Sequence, residues 1–119
     1  MAERDEIIFL EDILVCIEKI ENYTENISES DFQQDNEKQD AVIRRIEIIG
    51  EAVKKITFKT REKYPQIPWR EMAGMRDVII HEYFGVSTSL IWKVASLEIH
   101  KIKPEIEKII SDMTDMEES

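Results

Sequence analysis

The chemistry in this chain is concentrated in Arg76-Asp77-Val78-Ile79-Ile80-His81-Glu82-Tyr83, near the end of a continuous run from Trp69 to Phe84. His81 is one of only two histidines. Imidazole ordinarily titrates near neutrality, so it can give or take a proton, whereas the guanidinium of Arg76 keeps its charge. Tyr83 adds a phenol. Cleaving RNA without a metal needs a base for the ribose 2′-hydroxyl and an acid for the leaving oxygen. It also needs positive charge where the pentavalent phosphorane gathers negative charge. One copy of the chain offers one imidazole and one guanidinium here; two copies offer base, acid and clamp.

Helical geometry sorts these groups. Each residue turns a helix by about 100°, so Arg76 and Tyr83 fall within about 20° of each other on one face. Arg76 and His81 are about 140° apart and about 7.5 Å apart along the axis, so they meet at one phosphate only if Arg76 reaches around. Asp77 and His81 form an i,i+4 pair, in which the carboxylate can accept a hydrogen bond from one imidazole nitrogen and leave the other to act. A second copy of the helix, brought in by dimerisation, would supply the missing partners.

The elements that must present this stretch follow from apolar spacing. Ile7, Ile8, Leu10, Ile13, Leu14, Ile17, Ile20 and Tyr23 keep a helical period and predict a first helix from Asp5 to about Ile27. Residues 28–40 read as a polar connection tied to the core by Phe32. A second pattern runs from Ala41 to Ile56 and contains Gly50, which costs about 1 kcal/mol against Ala inside a helix. Such a cost points to close packing against another backbone ahead of room for a ligand. The chain turns between Thr57 and Pro68, and Pro68 ahead of Trp69 opens the helix that carries Arg76. Gly85 reads as its stop and Ser87 or Thr88 as the next cap. A last helix runs from about Thr88 to Ser111, with Pro104 expected to kink or split it, and an acidic, frayed tail follows from Asp112. With no period-two alternation, the expectation is one all-α domain over residues 1–119, an antiparallel four- to five-helix bundle.

Composition limits the function classes. Net charge is −10 over 119 residues, which argues against a general nucleic-acid-coating protein. The charge is uneven: residues 1–40 carry 3 basic and 13 acidic groups, residues 41–80 carry 9 and 5, and residues 81–119 carry 4 and 8. The only net-positive third contains Arg76, so phosphate can be attracted locally while the acidic parts meet a basic protein partner. The lone Cys16 reads as a buried structural thiol. Two histidines, one cysteine and no paired acidic signature predict no metal site and no cofactor. Glu3, Asp5 and Glu6 at the start are unlike an export leader, and no apolar run is long enough to span a membrane, so the expected home is the cytoplasm.

Each feature also has a plainer reading. On an anonymous helix, His81 would be a core or capping histidine bonded to Asp77. His100, near Lys101 and Lys103, reads as a surface residue, and Trp69 and Trp92 as core or interface aromatics. The Arg44-Arg45 and Lys54-Lys55 pairs read mostly as solvated helix face.

The ordered run Arg44-Arg45-Ile46-Glu47-Ile48-Ile49-Gly50-Glu51-Ala52, Tyr64-Pro65-Gln66-Ile67-Pro68-Trp69-Arg70, Gly74-Met75-Arg76, His81-Glu82-Tyr83-Phe84-Gly85-Val86 and Trp92 resembles the HepT family of the HEPN superfamily. The resemblance covers nearly the whole chain. It implies a helical homodimer with Arg-x4-His motifs meeting in a cleft, acting as a metal-independent ribonuclease toxin. It also implies a partner, the minimal nucleotidyltransferase antitoxin called MntA, which adds AMP to the motif tyrosine. By position, Arg76 and His81 match the catalytic pair and Tyr83 the modified residue. Asp77 stands where relatives often carry Asn; its carboxylate can orient His81 but also repels RNA phosphate. The AMP phosphate on Tyr83 would lie beside the guanidinium and plug the cleft. A second class stays open: a non-catalytic nucleotide-binding or docking subunit for the nucleotidyltransferase.

Overall fold

The computed structural model describes residues 2–81 and 88–118, with side chains across 6–77 and 88–116. Among these residues the regular structure is all helical. Helices α1 (Ala2–Thr24), α3 (Asn36–Lys54), α5 (Trp69–His81) and α7 (Ile99–Glu118) form the bundle, and α2 (Glu29–Gln33), α4 (Phe58–Lys63) and α6 (Thr88–Lys93) are short connecting pieces.

Apolar spacing sets which faces meet. Leu10, Ile13, Ile17 and Ile20 make one stripe of α1, Val42, Ile46, Ile49 and Val53 one of α3, and Ile106, Ile109 and Met113 one of α7. These stripes form a single buried cluster, in which each fully buried Leu, Ile or Val contributes about 1.5–3 kcal/mol relative to exposure. Helix α1 lies against both α3 and α7, and α3 against α5. The last pairing places the chemistry.

Three boundaries differ from the periodic reading. Helix α1 stops at Thr24, because Asn26 adopts a left-handed backbone with φ of 63°. The polar connection holds its own structure. Ser28 and Asp31 form a reciprocal cap that opens α2, Phe32 is fully buried, and Asp35 caps α3, which therefore begins at Asn36. The acidic tail continues α7 through Glu118, with Met113 buried and Asp112 accepting a 3.0 Å hydrogen bond from the Tyr64 hydroxyl. The last helical stretch runs on from Thr88 through a π-helical turn over Val94–Glu98, and Pro104 lies inside α7 without ending it. Gly85 and Ser87 lie outside the described residues.

The turn that delivers α5 is tied down from several sides. Thr57 caps α4, and the buried carboxylate of Glu6 on α1 accepts from the Thr57 backbone N–H at 2.5 Å and from the Thr60 hydroxyl at 2.7 Å. Arg61 reaches back to the last turn of α3, donating to the carbonyls of Val53 and Ile56. Buried Trp69 donates through Nε1 to the Tyr64 carbonyl at 2.9 Å, and the Pro68 carbonyl accepts the first helical bond, from Met72. Pro68 thus opens the helix as its missing N–H predicts.

Candidate functional site

Arg76 leaves α5 at a tight contact with α3, opposite Gly50. Gly50 permits this approach: a Cβ built on it would stand 2.7 Å from the Arg76 Cβ and 3.3 Å from the Met72 carbonyl oxygen. The cost of a helical glycine is therefore explained by close packing.

Around that contact four charges alternate. Arg76 donates through Nε to Glu51 Oε1 at 3.2 Å, its NH1 lies 3.8 Å from Asp77 Oδ1, and Lys54 Nζ donates to the same Asp77 oxygen at 3.1 Å. Glu51 and Lys54 sit one turn apart on α3, next to Gly50, and both face α5. All four side chains are partly or largely exposed, so their pairings are screened by water and salt. An incoming anion can displace the longer Asp77 contact at modest cost. The guanidinium offers its terminal nitrogens as a two-pronged donor to phosphate.

Sequence reasoning named Arg76 and Asp77 and paired Asp77 with His81. It did not find Glu51 or Lys54. The available signal was Gly50, the one glycine within the second apolar pattern, which packs tightly against α5. The expected Asp77 to His81 hydrogen bond involves an imidazole outside the described side chains; the described partner of Asp77 is Lys54. His81 itself is the last residue of α5, five positions beyond Arg76. Tyr83 lies outside the described residues.

Other candidates take quieter places. His100 is exposed, with Nδ1 3.0 Å from Glu21 Oε2, and Lys103 donates to the other Glu21 oxygen at 2.8 Å. The hydrogen bond from Lys103 is the main cause holding the Glu21 carboxyl below its ordinary range. Cys16 is buried, and burial pushes its thiol up despite Arg45 nearby. Trp92 packs its ring on Phe32 with centroids 5.3 Å apart. Beside this contact, Met72 and Met75 join Ile46, Ile49 and Leu90 around a mainly apolar groove of about 380 Å³, whose lining also includes Glu71, Lys93 and Glu98. Its lining suits packing, not phosphate. Among the described residues no helix is long and apolar enough to cross a membrane.

Comparison with known proteins places this sequence in a family. The sequence pattern of the HepT-like ribonucleases matches residues 13–109. A Methanocaldococcus jannaschii protein named as a putative RNase is 48% identical over 119 residues, covering all of this chain and 98% of its own. A Thermococcus cleftensis protein named "Probable ribonuclease HepT" is 48% identical over 101 residues, 85% of this chain and 92% of its own. A Caldanaerobacter subterraneus protein, also named as a putative RNase, is 43% identical over 102 residues, 86% of this chain and 91% of its own. No solved structure matches. With the profile spanning most of its length and near-half identity running end to end, the chain belongs to the HepT-like ribonuclease family.

Proposed function

We propose that this chain is a metal-independent endoribonuclease in which Arg76 clamps the scissile phosphate and His81 moves the protons, in a cleft between two copies. The observation that supports it best is the placement of Arg76. Its side chain starts at the tight contact of α5 with Gly50 on α3, is held at Nε by Glu51, and lies on the helix that also carries His81. Attack by the 2′-hydroxyl requires a base, and departure of the 5′-oxygen an acid; with one His81 per chain, two chains complete the pair. The Arg76 guanidinium stabilises the charge that builds on the phosphorane. Asp77 orients His81. The apolar groove bordered by Met75 and the exposed Leu90 gives a second copy a surface to pack on beside the site.

The same reading makes the chain the toxin of a toxin–antitoxin pair. An MntA-like nucleotidyltransferase would neutralise it by adding AMP to Tyr83, which places phosphate against Arg76 and removes its free charge. The acidic first third of the chain suits a basic partner face.

The deciding experiment is cleavage of a mixed RNA pool by purified protein in EDTA, comparing wild type with Arg76→Ala and His81→Ala and sequencing the product ends. Wild-type cleavage that leaves 2′,3′-cyclic phosphate, lost in both variants, is the expected result. Equal cleavage by all three proteins would mean a contaminant. A folded wild type that cleaves nothing would favour the docking or nucleotide-binding subunit, a reading to which the Asp77 carboxylate 3.8 Å from the guanidinium lends weight.

A further inference from the structure

We propose that Glu51 is the positioning residue of Arg76: it holds the guanidinium by Nε from the neighbouring helix, so that the NH1 and NH2 end is presented to the substrate phosphate. This rests on the reading of Arg76 as the phosphate clamp.

An arginine side chain has four rotatable bonds, and a clamp accelerates a reaction only when its donors already stand where charge will develop. Something must therefore fix the Arg76 fork. Among the described residues two carboxylates are near it. Glu51 Oε1 lies 3.2 Å from Nε, within hydrogen-bonding distance, whereas Asp77 Oδ1 lies 3.8 Å from NH1 and is itself drawn to Lys54 at 3.1 Å. Lys54 thus occupies the carboxylate that would otherwise compete with phosphate for the terminal nitrogens. Glu51 occupies the one nitrogen that a two-pronged phosphate contact at the tip does not need.

The backbone is arranged for this hold. Glu51 follows Gly50, whose missing side chain lets α3 approach the Arg76 Cβ. The Glu51 side chain remains 46% exposed, so the ion pair adds little to folding. An exposed pair formed beside the glycine contact of two helices is better explained by where it sets the guanidinium. Glu51 acts through Arg76 and does not itself touch the substrate.

The test uses the full chain and a fluorescent oligoribonucleotide containing the preferred cleavage site. Glu51→Ala should lower kcat about tenfold or more while KM changes by less than about threefold. Glu51→Gln, whose amide oxygen still accepts from Nε, should stay within about threefold of wild type. Adding Glu51→Ala to Arg76→Ala should change nothing further, because the group being positioned is gone. Thermal midpoints of the Glu51 variants should lie within about 2 °C of wild type. Wild-type rates for Glu51→Ala, equal losses for Glu51→Ala and Glu51→Gln, or losses that multiply with Arg76→Ala would overturn the proposal. Arg76→Ala cleaving at the wild-type rate would sink the clamp reading itself, and is told apart because it needs no Glu51 variant.

Discussion

Gly50 and Arg76 meet so closely that a single added methyl would leave 2.7 Å between their β-carbons. Helices α3 and α5 can make this contact only with glycine on one side. The Arg76 Cβ is anchored to its backbone, so relief requires a shift of the helix itself.

Gly50→Ala should therefore reduce RNA cleavage about tenfold or more by displacing Arg76, since misplacement of about 1 Å can be that costly. Overpacking of about 1–3 kcal/mol should outweigh the roughly 1 kcal/mol that alanine gains in a helix, so thermal stability falls as well. Gly74→Ala is the control: nothing among the described residues lies within 4 Å of the added carbon, so stability should rise by up to about 1 kcal/mol. A less stable Gly74→Ala protein would show that another copy covers that face.

Asp77→Asn removes a negative charge 3.8 Å from the Arg76 guanidinium and leaves Lys54, now 3.1 Å from a neutral acceptor, without its counter-charge. The site gains net positive charge. KM for RNA should fall about three- to tenfold at low ionic strength, and the gain should shrink as salt is added. Folding stability should change by no more than about 0.5 kcal/mol, because the pairs are exposed. An unchanged KM at low salt would show that Asp77 does not oppose phosphate.

Glu6 tests how the turn before α5 is held. Its buried carboxylate accepts from Thr57 and Thr60, so Glu6→Ala leaves a backbone N–H and a hydroxyl without their acceptor. A loss of about 2–3 kcal/mol is expected, lowering the thermal midpoint by roughly 10 °C. Glu6→Gln should recover only part of this, since its amide donors face donors. Calorimetry of the three proteins decides; a midpoint for Glu6→Ala within about 2 °C of wild type would refute the account.

Tyr64 gives a pH signature. Burial, then its hydrogen bond to Asp112 and the charge of that carboxylate, push its phenol up to about 12 from 10. The folded state therefore holds this proton more tightly than the unfolded state. The resulting stabilisation is complete below pH 10 and is lost as pH rises from 10 through about 12. Denaturant titrations should show wild-type stability falling more steeply over that window than Tyr64→Phe. At neutral pH the Phe variant should be weaker by about 1 kcal/mol, for the lost hydrogen bond. Parallel slopes for the two proteins would remove Tyr64 as the cause.

Much of the fold can be read along the chain because it depends on local repetition. The stripe through Leu10, Ile13, Ile17 and Ile20 predicts both a helix and its inward face, and Pro68 marks the start of α5. The short helices were less legible. Their caps are local, Ser28 with Asp31 and Thr57 with Thr60, but they stand in stretches too polar for an apolar period to reveal. Glu6 looks like one more surface acid at the start of α1 until α4, 51 residues later, is folded against it.

The candidate site divides the same way. Arg76 and His81 were visible from residue chemistry and helical spacing, and the family resemblance from the order of motifs around them. These are properties of the chain as a string, and they needed no tertiary contact. Tertiary structure alone decided that Glu51 holds Arg76 and that Lys54 takes Asp77. Both depend on the rotation and distance of α3 against α5. That geometry is set by core residues such as Val42, Ile46 and Met72, together with the missing side chain of Gly50, and not by the charged residues it brings together.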